Sequence, residues 1–104
     1  MNNPFIASDG TKRWYNDTYY LHRDDGPAVE MVNGYKAWYI NNKLHRTDGP
    51  ARDWGNGRIE YWINDKRHRE DGPACEYVDG RKEYWINYKL YDSLEEGLMD
   101  QALE

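Results

Sequence analysis

Three histidines, His22, His45 and His68, stand 23 residues apart. Each is followed directly by Arg23, Arg46 or Arg69, and two positions later by Asp25, Asp48 or Asp71. An imidazole, a guanidinium and a carboxylate in one short string are the groups from which metal sites and proton-transfer sites are built. Cys75, the one thiol in the chain, adds a possible nucleophile. The spacing argues against all three chemistries. If each 23-residue unit adds at least two strands, equivalent residues stand about 10 Å apart, whereas zinc needs its nitrogen ligands about 2.0–2.1 Å away. The three imidazoles therefore cannot share one ion, and neither a metal nor a cofactor is expected. A catalytic centre would need residues that break the repeat. Those are Asn16–Tyr20, Cys75, Tyr88 and the tail, and they form no set of nucleophile, base and orienting group. Cys75 shares a column with Val29 and Arg52, which suits a half-buried structural thiol. No catalytic residue is expected, and the chain reads as a non-enzyme.

The elements that carry these strings follow from the period. Gly26, Gly49 and Gly72, Pro27, Pro50 and Pro73, and Ala28, Ala51 and Ala74 keep the same 23-residue step. So do Gly34, Gly57 and Gly80, Ile40, Ile63 and Ile86, and the pairs Trp38–Tyr39, Tyr61–Trp62 and Tyr84–Trp85. Self-similarity at a fixed period is the signature of a stacked repeat. Residues 9–15 supply an earlier half unit, and Lys89-Leu90 a later fragment in which Tyr91 replaces the histidine. The spacing thus predicts an all-β, elongated, single-layer antiparallel meander of about 3.5 hairpin units of 23 residues over residues 1–91. Asn33-Gly34, Asn56-Gly57 and Asp79-Gly80 predict one turn per unit, read as a two-residue type I′ loop. Asn41-Asn42, Asn64-Asp65 and Asn87-Tyr88 predict the next. In the HRxDGPA string the aspartate is expected to bond the local backbone, the glycine to take a conformation closed to other residues, and the proline to start a strand.

Residues 92–104 change period. Asp92 with Glu95 and Ser93 with Glu96 are overlapping capping boxes, and Leu94, Leu98 and Ala102 share a helical face beside Met99 and Leu103. A short C-terminal capping α-helix is predicted, acidic and amphipathic. It is too short to persist unless docked.

Five Trp, ten Tyr and one Phe dominate the apolar content. A thin repeat needs only a strip of core, which large aromatics can fill. The net charge of −5 resides in the tail, because residues 1–91 balance 14 Lys and Arg against 14 Asp and Glu. A neutral body lacks the phosphate-neutralising excess of a nucleic-acid binder. A lone cysteine fits a reducing compartment, and the N-terminus has neither the basic region nor the apolar run of a signal peptide. A cytoplasmic location is expected, with no membrane span.

A two-residue Asn-Gly loop sets the register. It puts Val29, Met31, Trp38, Ile40, Trp54, Ile59, Tyr61, Ile63, Tyr77, Tyr84 and Ile86 on the core face. The other face then carries Ala28, Tyr39, Trp62 and Trp85 beside an acidic row of Glu30, Asp53, Glu60, Glu76 and Glu83. A slip of one residue would exchange the faces. The candidate protein-binding residues are accordingly Glu30, Tyr39, Asp53, Glu60, Trp62, Glu76, Glu83 and Trp85, suited to a basic patch on a partner.

The segments WINDKRHREDGPA (62–74) and WYINNKLHRTDGPA (38–51) resemble MORN repeats, which share a period near 23 and a Tyr/Trp-rich hairpin. The likeness spans residues 9–91. It departs after the histidine, where a MORN unit usually has glycine and this chain has Arg23, Arg46 and Arg69. The HRxDGPA variant looks like repeat arrays of phage and large-virus proteins. The resemblance implies an elongated antiparallel sheet used for protein association, without catalytic activity. The expected function is a non-enzymatic interaction module, a small phage protein that occludes or tethers a host protein. The alternatives are a module that stacks carbohydrate or nucleotide on an aromatic face, and a building block that self-associates through the N-terminal edge near Phe5-Ile6-Ala7.

Overall fold

The structure is a computed structural model that describes residues 3–103; the first two residues of the repeat region and Glu104 of the acidic tail lie outside it. The strands in chain order are β1 (Phe5–Ile6), β2 (Lys12–Arg13), β3 (Val29–Glu30), β4 (Lys36–Ala37), β5 (Tyr39–Ile40), β6 (Lys43–Leu44) and β7 (Arg52–Asp53). They continue with β8 (Ile59–Glu60), β9 (Trp62–Ile63), β10 (Lys66–Arg67), β11 (Cys75–Glu76), β12 (Lys82–Ile86) and β13 (Lys89–Tyr91). A helix, α1 (Leu94–Ala102), ends the chain. The main sheet is antiparallel, with nine strands in the order β1-β2-β3-β4-β7-β8-β11-β12-β13. The short hairpins β5–β6 and β9–β10 stand beside it. The chain is thin and long, 46 × 31 × 17 Å, as a stack of hairpins requires.

Each unit folds twice. Its first hairpin lies in the main sheet, and the chain then turns a corner. Trp38 donates its N–H to Ala51 O in the main sheet, at 2.8 Å, and its carbonyl accepts from His45 N in the second hairpin, at 3.1 Å. Trp14 and Tyr61 repeat this corner. The second hairpins close over one face of the main sheet, here called the inner face. There Val29, Ala37 and Leu44 form a buried cluster, with Leu21, Tyr35, Tyr39 and Trp62 packed against it. The expected meander is present, and its buried strip lies between the main sheet and these hairpins rather than on a lone sheet.

The second turns are the two-residue type I′ loops. Asn41, Asn42, Asn64, Asp65, Asn87 and Tyr88 all have φ between 48° and 72°, flanked by pairs such as Ile40↔Lys43. The Asn-Gly turns are one residue longer. Gly34 N–H donates to Met31 O at 3.1 Å, Met31 pairs back to Tyr35, and only Gly34 takes a positive φ, +98°. This is a type I turn closed by a glycine bulge, the usual three-residue hairpin loop. Asn33 holds it by accepting from Tyr35 N at 3.0 Å. Gly80 repeats the geometry, donating to Tyr77 O at 2.9 Å; the Gly57 loop keeps the length, with Trp54 N donating to Arg58 O at 3.1 Å, but Gly55 also takes a positive φ, +79°.

The extra residue shifts the register by one and exchanges half of each predicted face. Val29 pairs with Ala37, and Arg52 with both Ala37 and Glu60. The inner row therefore runs Arg13, Val29, Ala37, Arg52, Glu60, Cys75, Glu83. The outer row runs Lys12, Glu30, Lys36, Asp53, Ile59, Glu76, Lys82. Trp38, predicted beside Val29, is instead the corner residue.

Helix α1 starts at Ser93, whose hydroxyl accepts from Glu96 N at 3.1 Å. Of the two predicted capping boxes, the second places the cap. The docked face differs from the prediction. Gly97 is the buried residue, while Leu98, Met99 and Leu103 are exposed. A Cβ at Gly97 would come within 2.9 Å of the Tyr91 ring and 3.0 Å of Ile86, so the missing side chain is what lets the helix approach. Tyr91 donates its hydroxyl to Asp100 at 2.6 Å. That bond holds the Tyr91 pKa above its ordinary 10.0, so the contact is intact below that value and is lost as pH rises through the raised one. An alkaline titration followed by far-UV circular dichroism should show helical signal lost in this range, and Tyr91→Phe should remove the titration while weakening the helix at neutral pH. An unchanged titration in Tyr91→Phe would assign it to other tyrosines.

Candidate functional site

The HRxDGPA strings are tied into the scaffold rung by rung. Arg46 stacks over Trp38 at 3.9 Å from the ring centre. Its Nε donates to Asp48 at 2.9 Å and its Nη1 to the Pro50 carbonyl at 3.1 Å. Arg23 over Trp14 and Arg69 over Tyr61 repeat the arrangement. The glycines at 26, 49 and 72 have no positive φ, contrary to the expectation. They are glycine because a Cβ would fall 3.0, 2.9 and 2.8 Å from the arginine Cζ in the three units. The histidines join neighbouring units. His22, His45 and His68 each accept at Nδ1 from the backbone N–H of Asn41, Asn64 and Asn87, at 3.0, 3.1 and 2.9 Å. Accepting there requires the proton on Nε2, which in His22 and His68 faces Asp24 and Glu70.

The five carboxylates expected as one binding row are split between the faces, and each has an internal partner. Glu30 and Glu76 face the outer side, close to Arg23 at 3.3 Å and Arg69 at 3.7 Å. Asp53, also outer, accepts from Gly55 N at 2.8 Å. On the inner side, Glu83 accepts from Trp85 Nε1 at 2.9 Å and Tyr77 OH at 3.1 Å. Glu60 is fully buried. The single row expected from the sequence is thus divided between the two faces by the register, and Glu60 is withdrawn from solvent. Tyr39 and Trp62, on the second hairpins, are half-buried against the apolar cluster, and Trp85, on β12, is half-buried with the Arg67 guanidinium 5.1 Å from its ring.

What surrounds Glu60 was not singled out from sequence. Arg58 bonds it at 2.9 Å, Trp62 Nε1 donates to it at 2.8 Å, and Arg52 and Arg67 stand at 3.6 and 3.9 Å. The guanidinium groups alternate with rings. Arg58 lies 4.1 Å from the Trp54 ring centre, Arg52 lies 5.3 and 5.7 Å from Trp54 and Trp62, and Arg67 lies 5.2 and 5.1 Å from Trp62 and Trp85. Such pairs attract through the ring quadrupole. The signal was available in the columns, where Val29, Ala37 and Leu44 of one unit become Arg52, Glu60 and Arg67 of the next.

Cys75, next to Glu60 and Glu83 on the inner row, is fully buried. Burial pushes its thiol up to about 12, so the reactive thiolate is scarce at neutral pH. Iodoacetamide at pH near 8 should leave the folded chain unmodified and alkylate it in denaturant; rapid labelling of the native chain would contradict this placement. Because the folded pKa lies above the ordinary 9.0, the neutral thiol's contribution to stability should also fade as pH rises from about 9 towards 12.

Among the described residues, no group of three or more His, Cys, Asp or Glu is placed to hold a metal ion, and no helix is long and apolar enough to cross a membrane. Comparison with protein-family models, curated proteins and solved structures finds no match, so the geometry of the inner face is what the functional reading rests on.

Proposed function

We propose that the chain is a non-enzymatic protein-association module that presents the inner face of its second and third units to a partner. The observation that carries this reading is the contrast between columns. In the His–Arg–Asp strings each arginine Nε is bonded within its own turn, whereas the Nε groups of Arg52, Arg58 and Arg67 have no partner among the described residues and these side chains stand partly exposed among Trp54, Trp62 and Trp85. Arginine and tryptophan are the residue types most often found as interface anchors. The rigid stack suits the role, since its contacts are set before a partner arrives. The test is affinity capture from the source cell, followed by reconstitution with the purified partner. Trp54→Ala, and Arg81→Glu, whose guanidinium lies 4.5 Å from the centre of the Tyr77 ring that bonds the inner Glu83, alter the inner face at its turn edge and should each weaken the purified pair at least tenfold. A pair that binds with unchanged affinity to both variants would remove the inner face from the reading.

A second reading has its own support. Phe5 and Ile6 are 59 and 60% exposed on the edge strand β1, and no strand among the described residues covers its outer side. A second copy pairing there would bury them. Sedimentation at high concentration should then report twice the 12.5 kDa chain mass, and Ile6→Lys should restore the single chain. A mass of one chain at every concentration ends this reading.

A further inference from the structure

The repeat contains its own control. In the first full unit the inner positions are Val29, Ala37 and Leu44, which form the buried apolar cluster. In the second unit the same positions hold Arg52, Glu60 and Arg67. A buried ionic group is generally no more stabilising than apolar residues of similar volume, and the neighbouring unit shows that the fold accepts the apolar set. The same backbone thus accommodates an apolar set at these positions.

The hydrogen bonding is also incomplete. Three guanidinium groups carry roughly fifteen N–H donors, against about four lone-pair sites on the Glu60 carboxylate and the Tyr35 hydroxyl that bonds Arg52. Arg52 and Arg67 stand beyond hydrogen-bond distance of Glu60. The Nε atoms of Arg52, Arg58 and Arg67 are all buried without a partner. Glu83, the other inner carboxylate nearby, is held by Trp85 and Tyr77. Counting Arg52, Arg58 and Arg67 against Glu60 and Glu83 leaves one positive charge in surplus. The flanking rings fix the guanidinium planes, and a fixed fork matches a carboxylate in bidentate fashion.

We propose that Arg52, Arg58 and Arg67, walled by Trp54, Trp62 and Trp85, bind a carboxylate-rich stretch of a partner protein. One or more of its side chains would accept from the Nη groups of these partly exposed side chains and offset the surplus positive charge. This rests on the protein-association reading, because it assigns the carboxylates to a protein. A nucleic acid is disfavoured. Its charge at every nucleotide would meet the chain's net charge of −5 and the exposed Asp24, Asp25, Asp48, Glu70 and Asp71 of the turns, whereas a short acidic segment meets only the local surplus.

The test is a titration of the full chain with hexaglutamate and, separately, with a six-nucleotide oligothymidylate. The readouts are the NMR signals of the arginine Nε–H and tryptophan indole groups. Hexaglutamate should shift the signals of Arg52, Arg58, Arg67, Trp54 and Trp62 saturably, with affinity falling as salt rises. The triple substitution R52V/E60A/R67L, which copies the first unit, should keep the circular dichroism spectrum and lose at least tenfold in affinity. Arg58→Gln, at the end of a hairpin, should lose severalfold and serves as the check if the triple variant fails to fold. The proposal falls if hexaglutamate at millimolar concentration causes no saturable shift, if both variants respond like the parent, or if oligothymidylate binds more tightly. Failure here combined with an intact complex in the reconstitution experiment would discard the carboxylate site and leave protein association standing.

Discussion

Glu60→Ala should lower the unfolding free energy by about 3 kcal/mol, while R52V/E60A/R67L should match the parent or exceed it by about 1–4 kcal/mol. The single substitution removes the carboxylate that accepts from Arg58 and from Trp62 Nε1. It leaves three guanidinium groups facing one another and a half-buried indole N–H without its acceptor. Removing one partner of a buried ionic group ordinarily costs about 3–5 kcal/mol. The lower end applies because the arginines are 27–36% exposed and can turn partly to water. The triple substitution removes the charges together and installs the side chains that pack in the preceding unit. Urea unfolding followed by tryptophan fluorescence would report both as shifts in midpoint at constant slope. A triple variant less stable than Glu60→Ala would mean that the ionic group supports the fold, and would remove the main reason for assigning it to a ligand.

The antiparallel meander, the places where it turns and the two-residue form of the Asn41-Asn42 loops were legible in the sequence; the length of the Asn-Gly loops, and with it the faces, was not. Asn33-Gly34 serves equally well as a two-residue type I′ loop and as the end of a three-residue loop, because both need a residue tolerant of positive φ at Gly34. The two differ at Asn33, which here stays out of positive φ and bonds Tyr35 N instead. The same choice at Asn56, which stays out of positive φ and accepts from Arg58 N at 3.1 Å, pairs Glu60 with Arg52, moves it from a presumed solvent row to a position with no exposure and separates it from Glu30, Asp53 and Glu76. The Asn41-Asn42 turns left no such freedom, since both residues take positive φ. In the tail, capping was legible at Ser93, but the docked face was not. Apolar periodicity pointed to Leu98, whereas the distance to Tyr91 and Ile86 selects the residue with no side chain, Gly97.

The glycines of the HRxDGPA strings allow the second large effect to be argued from the same distinction between space and conformation. Gly49→Ala should lower stability by about 1–2 kcal/mol, because its methyl would sit 2.9 Å from the Arg46 Cζ. The guanidinium would have to leave Trp38, Asp48 and the Pro50 carbonyl. Arg46→Ala should lower it by a similar amount through loss of the same contacts. In combination the two should cost no more than Arg46→Ala alone. With the guanidinium gone the methyl has room, and alanine restricts the unfolded chain by about 0.4–1 kcal/mol, which favours folding. The double-mutant cycle should therefore report a coupling of about 1 kcal/mol or more. Gly57→Ala is the contrasting case. Its φ is +107° and nothing lies within 4 Å of an added Cβ, so the loss there comes from backbone strain and no partner substitution should relieve it. Additive losses at Gly49 and Arg46 would return the glycine to a conformational role and leave the arginine's position over the turn unexplained.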